Sequence, residues 1–279
     1  MGEARAMWIL FEPIHDVTYF DPRCLDRFVA AGLRGFWRGY FAGRAAPLGS
    51  IGAAPVVAAF YGFSPSMVTR ALPAVWDLAS PAAALQARAE GAVAALTALT
   101  PDTPVADVEE AAGLLESAVA ALQPAGRVLG AANAALPPYE DPYARLFQAA
   151  TTLREHRGDG HIAALVANDL GPTEVLALRC GMDLTRDWMQ SARGWTDEEW
   201  TAGQARLVDR GLLDAEGKAT DAGREVFAVA EHATNVAAEA PWTALGPDTV
   251  GRLKDLLRPI SAACRAAIPA GNPIGLPTA

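Results

Sequence analysis

Three short stretches hold the residue types that could do chemistry. The first is GFWRGYFAGRAAPLG at residues 35–49, where Trp37, Arg38, Tyr40 and Arg44 crowd together. A guanidinium offers a two-pronged donor to a carboxylate or phosphate and stacks on rings, so these residues could line an aromatic-walled pocket for an anion. The same arginines could instead pair with carboxylates such as Glu109, Glu110 and Glu116 as a clamp, or stack bases as a nucleic-acid patch. The second stretch is Arg157-Gly158-Asp159-Gly160-His161. It places His161 at the start of a helix HIAALVAN, with Asp159 ahead of it to cap that helix or orient the imidazole, and with two glycines that let the backbone turn tightly beside a ligand. If a reaction takes place, His161 assisted by Asp159 is the general base, Arg44 is the anion stabiliser and Arg157 is a further ligand contact. The alternative is a capped helix with an ordinary histidine.

The third stretch runs from His15 and Asp16 through Thr18 and Tyr19 to Phe20, bracketed by Pro13 and Pro22. The two prolines suggest an extended arm laid on the core, with His15 as a polar contact. A metal held by His15, His161 and a carboxylate would require the fold to join them, and no metal is assigned. Farther along, Phe227, Ala230, Glu231 and Thr234 share a helical face near His232, so a polar pair there could line a cavity or simply hydrogen-bond across an interface. The chain has no HExxH, nucleophile elbow, phosphate-binding glycine loop or dinucleotide fingerprint. Neither a reaction nor a cofactor is assigned.

Charge separates these stretches from the rest. Between Asp26 and Asp77 there is no Asp or Glu, while Arg27, Arg34, Arg38, Arg44 and Arg70 stand there. With a formal charge of −9 overall, those five arginines leave −14 on the remainder. An acidic protein is repelled by nucleic acid at long range, so a DNA contact would need a local patch. At 279 residues and 51% apolar composition the chain can build a core on the scale of two domains. Cys24, Cys180 and Cys264 are far apart and odd in number, which suggests neither a disulfide framework nor a zinc site and fits a cytoplasmic protein. MWILFEPI is too short for a secretory leader, and no stretch approaches a membrane span.

The elements that must position these residues read as helices throughout. Asp21-Pro22 is an N-cap followed by proline at the first helical position, and helices are expected at 81–99 and 104–122 around TPDTP. The Pro/Gly-rich stretch 124–143 marks the best boundary, giving an N-terminal half over residues 1–79, linker helices over 80–140 and a C-terminal half over 141–279. A helix near 141–156 follows. Then come GPTEVLALRCG, DLTRDWMQSARG and WTDEEWTAGQARLVDRGLL, a short turn at Glu216 and Gly217, and long helices at 221–239 and 246–265. RAAPLGSIGAAPVVAAFYGFSPSMV (44–68) can be laid over RGDGHIAALVANDLGPTEV (157–175) with a gap, pairing Ser64-Pro65 with Gly171-Pro172, which suggests an internal repeat.

This order of helices, with RLVDRGLLDAEGKATDAGREV, resembles the end of the recognition helix, the wing and the next helix of MarR-type winged helix-turn-helix regulators. The whole layout is similar to a family of actinobacterial helix-turn-helix proteins. The expected fold is therefore all-α with a minimal β-wing, two winged-helix-like halves joined by helices, and terminal helices that could pack as a homodimer. The residues themselves argue against DNA reading by the second half. Its recognition turn would be Thr196-Asp197-Glu198-Glu199, a capping box whose acids would face phosphates. The expectation is a small-molecule-binding protein with an anionic or aromatic ligand, leaving an enzyme of specialised metabolism open. A ligand-responsive DNA-binding regulator that uses the arginine-rich first half is the second hypothesis, and a protein-interaction module is the third.

Overall fold

A computed structural model describes residues 2–269 and Asn272. Its elements are helices: α1 Glu3–Phe20, α2 Pro22–Ala30, α3 Phe36–Ala45, α4 Ala53–Phe60, α5 Pro65–Ala71, α6 Pro81–Leu99, α7 Val105–Ala120, α8 Val128–Ala134 and α9 Pro142–Ala167. After these come α10 Pro172–Cys180, α11 Arg186–Arg193, α12 Asp197–Asp209, α13 Asp221–Val236, α14 Ala240–Leu245 and α15 Pro247–Ala266. Among the described residues there is no strand. The expected wing is reduced to a single antiparallel bridge between Leu213 and Ala219.

Two helices set the frame, and both run through residues that the sequence suggested would break them. In α1, Ala4, Met7, Phe11 and Ile14 recur at three- and four-residue spacing and are buried, so this segment is a core helix rather than the expected extended arm. Pro13 inside it cannot donate to the carbonyl of Ile9. Arg265 of α15 donates Nη2 to that oxygen at 3.2 Å, so the group a proline orphans finds another partner.

The other helix, α9, opens on Asp141, whose Oδ1 accepts from the amides of Tyr143 and Ala144, with Pro142 at the first position. It continues without a break through Gly158 and Gly160, so His161 lies in its interior and not at a helix start. Interior glycines cost a helix about 1 kcal/mol each. Packing compensates: a Cβ on Gly160 would strike the Arg127 guanidinium, which donates to His156 O at 3.0 Å, and α8 approaches so closely that a Cβ on Gly130 would stand 2.7 Å from His156 Cα.

Around α9 the apolar side chains gather into three clusters. One joins α1, α6, α7, α9 and α15 through Phe11, Leu96, Leu115, Phe147 and Leu257. A second holds Phe41, Phe60, Phe63 and Met67 from α3 to α5, where Gly39 and Gly43 let α3 lie directly on Phe28. The third, around Leu178, Trp200 and Leu207, belongs to α10–α13. The second and third clusters meet at their turns. Ser64 donates its amide to Arg193 O at 2.9 Å, Trp195 Nε1 donates to Gly62 O at 2.9 Å, and the Tyr61 hydroxyl donates to Leu170 O at 2.5 Å.

Candidate ligand-binding cavity

Between α1, α3, the α4–α5 turn, the middle of α9 and α13 lies a cavity of about 900 Å³. Its aromatic wall comes mainly from α3 and the turn that follows α4. The Tyr40 ring stands 4.8 Å from Tyr19, 5.3 Å from Phe63 and 5.6 Å from Trp37, mostly edge-on or tilted as ring quadrupoles prefer. Arginines stack on rings of the lining: Arg44 over Phe60 at 4.1 Å, Arg193 over Phe63 at 4.5 Å and Arg157 over Trp8 at 4.6 Å.

The inner end is a buried ion network. Arg44 donates Nε and Nη2 to both oxygens of Glu155, at 2.8 and 3.0 Å, and Nη1 to the Tyr40 hydroxyl. Arg154 donates Nη1 to Glu155 and Nε to Glu12, and Glu12 also accepts from Trp8 Nε1 at 2.8 Å. Burial alone would push the Glu155 carboxyl up, yet Arg154 and Arg44 hold it well below the usual range. Arg44 is thus a clamp between α3 and α9 as well as cavity lining. Its carboxylate is Glu155, whereas Glu110 pairs with Arg252 and Glu116 with Arg145.

The outer end is built on one face of α9, where Arg154, Arg157, Gly158 and His161 follow one another toward α13. Glu231 of α13 accepts from Arg5 at 2.7 Å and from Arg157 at 3.4 Å. His161 Nδ1 lies 3.0 Å from Thr234 Oγ1 and 3.3 Å from Glu231 Oε1. Thr234 spends its only hydroxyl proton on Ala230 O at 2.7 Å, so both neighbours of Nδ1 are acceptors and Nδ1 carries the ring proton. Nε2 is left as a lone pair with no protein partner among the described residues. Burial lowers the His161 pKa to about 4 despite the pull of Glu231, which keeps the ring neutral.

Besides Arg193, the arginines at the cavity are Arg5, Arg44, Arg154, Arg157 and Arg179, and the carboxylates beside them are Glu12, Glu155, Asp183 and Glu231. Positive charge is in excess even before Arg193 is counted.

The candidate residues divide accordingly. Trp37, Tyr40, Arg44, Arg157 and His161 meet at the cavity. Arg38 does not: it is exposed on the other side of α3 and donates to Arg34 O. Asp159 does not reach His161, because two residues along a helix is about 200° of rotation. It faces α8, accepts the Gly130 amide at 2.9 Å, and is pushed up to about 6 by burial. His15 is buried with both ring nitrogens engaged, Nδ1 with Thr151 and Nε2 with Tyr19. Thr151 lies ten residues before His161 on α9, about 15 Å along the axis, so the two histidines are not brought together. Among the described residues, no group of three or more His, Cys, Asp or Glu could hold a metal ion.

Arg154, Glu155, Arg193, Glu12 and Trp8 were not singled out by sequence reasoning. For Arg154 the signal was the stripe Arg154, Arg157, Gly158, His161 at helical spacing, which a break at Gly158 concealed; the other four carried no such local pattern.

The recognition-type turn keeps its expected chemistry. Thr196 and Glu199 form the capping box, Asp197, Glu198 and Glu199 are exposed, and Asp197 accepts from Arg186 and Gln190 of α11. No helix among the described residues is long and apolar enough to cross a membrane. No curated protein and no solved structure matches the chain. Residues 4–270 match the model of a helix-turn-helix family, and the chain, which is all-α as that membership implies, belongs to this family.

Proposed function

We propose that this helix-turn-helix protein binds a small anionic, aromatic molecule in the cavity beside α9. The observation that carries the proposal is the pairing of an aromatic wall with an excess of arginine in a space of about 900 Å³, the size range of small-molecule sites. On this reading the scaffold is a tandem of winged-helix-like halves, residues 1–79 and 141–279, joined by linker helices. Its support is that both turns pass through a residue at φ 52°, Tyr61 and Asp169, shortly before an extended N-cap and a proline. The MarR-type likeness is confined to the segment around α12 and α13. There the acidic turn, which follows the Arg193 and Trp195 contacts to Ser64 and Gly62, turns Asp197, Glu198 and Glu199 to solvent, and the neighbouring Arg186 is paired with Asp197.

The test is mass spectrometry of molecules released by denaturing natively purified protein, wild type beside Gly158→Leu. A Cβ at Gly158 meets nothing nearer than Glu155 Oε2 at 3.9 Å, so a larger side chain there extends into the cavity without a clash at its base. An aromatic acid released by the wild type and missing from the variant supports the proposal. Equal release from both overturns it.

Family membership favours one other function, DNA binding by the exposed arginines Arg34, Arg38 and Arg70 of the N-terminal half. That reading predicts affinity falling steeply with salt, and no binding at low salt removes it.

A further inference from the structure

The donors and acceptors left open in the cavity specify its occupant more closely, given that the cavity is a ligand site. Arg154 uses Nε and Nη1 on Glu12 and Glu155, so its Nη2 has no protein partner among the described residues. Arg157 uses Nη2 on Glu231 and Asn235, which leaves Nη1 without one, and its buried Nε also lacks a partner although the residue is only 7% exposed. These two guanidiniums stand three residues apart on the cavity face of α9 and together offer a site for one ionised group. Next comes Gly158, which adds no side chain, so a flat molecule can lie against the helix backbone. One turn beyond Arg157, about 6 Å along the axis, His161 presents Nε2, a ring nitrogen that can only accept because Thr234 and Glu231 hold the proton on Nδ1.

We infer that the ligand is an aromatic acid bearing a hydroxyl or amino donor: its anion lies between Arg154 and Arg157, its ring over Gly158, and its donor on His161 Nε2. The groups facing His161 agree with an acceptor role. Glu231 of α13 favours the imidazolium, but burial with Arg157 of α9 and Arg179 of α10 outweighs it. An aromatic acid that carries an ether in place of the hydroxyl would leave Nε2 dry and unpaired, a loss that discriminates strongly in buried sites.

Calorimetric titration of the full chain at pH 7.5 with 4-hydroxycinnamate, 4-methoxycinnamate and cinnamyl alcohol tests this. The expected result is binding of 4-hydroxycinnamate, at least tenfold weaker binding of the methoxy compound, and none of the alcohol. In His161→Leu, its fold checked by circular dichroism, the hydroxy and methoxy compounds should differ less than twofold. Equal binding of these two by the wild type overturns the assignment of His161, and if Gly158→Leu then abolishes both, the cavity stands as the ligand site without it. If no probe binds the wild type, or if Gly158→Leu leaves binding intact, the cavity reading falls as well.

Discussion

The two ends of the cavity use the same residue types to opposite purposes. At the inner end, Glu155 is 1% exposed and takes three arginine hydrogen bonds, so charge is spent on charge and α3 is fastened to α9. At the outer end the arginines outnumber what Glu231 can satisfy, an interior glycine leaves the helix bare, and a histidine keeps one nitrogen open. Arginine beside an aromatic ring therefore does not by itself mark a ligand contact. The distinction lies in how many of its donors the protein has already used.

The largest effect should come from breaking the closed end. Glu155→Ala leaves Arg44 and Arg154 buried without their shared anion, and should cost roughly 3–5 kcal/mol in urea denaturation. Glu231→Gln at the open end should cost only about 1 kcal/mol, since Arg5 is partly in water and the glutamine oxygen can still accept from Arg157 or His161. Similar losses for the two would erase the contrast.

A smaller effect should appear with pH. The folded His161 titrates near 4, against about 6.5 when unfolded, so between those values the folded state binds fewer protons. His161 thus favours folding fully above pH 6.5, and that contribution is lost as pH falls toward 4. His161→Leu should flatten the wild-type decline between pH 7 and 4.5 by on the order of 2 kcal/mol, measured as urea midpoints. Asp159, raised to about 6, acts in the opposite sense: its contribution is present below about pH 4 and is lost as pH rises through 6, so Asp159→Asn should steepen the acid loss.

The smallest effect should be a gain. Gly158→Ala removes an interior glycine that touches nothing, and should raise stability by about 0.5–1 kcal/mol while narrowing the space over α9. A loss of stability would mean that the glycine serves packing, as Gly160 does against Arg127.

Much of the fold was legible because its signals are local. Asp21-Pro22, the Thr196–Glu199 capping box and the helix over 81–99 all depend on residues close together in the chain. What was missed depends on distant partners. Pro13 is tolerated because Arg265, over 250 positions away, serves the Ile9 carbonyl, and Gly160 because Arg127 fills its side of α9. The same error divided the site. With α9 broken at Gly158, Asp159 looked like the partner of His161. In the continuous helix that place passes to Glu231 and Thr234, whose shared face was visible in the sequence without anything to set it against.

Whether the open end of the cavity receives an aromatic anion can be seen in a crystal structure of the chain soaked with 4-hydroxycinnamate. Density is expected for the ring over Gly158, with the carboxylate within about 3 Å of Arg154 Nη2 and Arg157 Nη1. A cavity holding only water while the compound binds elsewhere on the protein would contradict this placement.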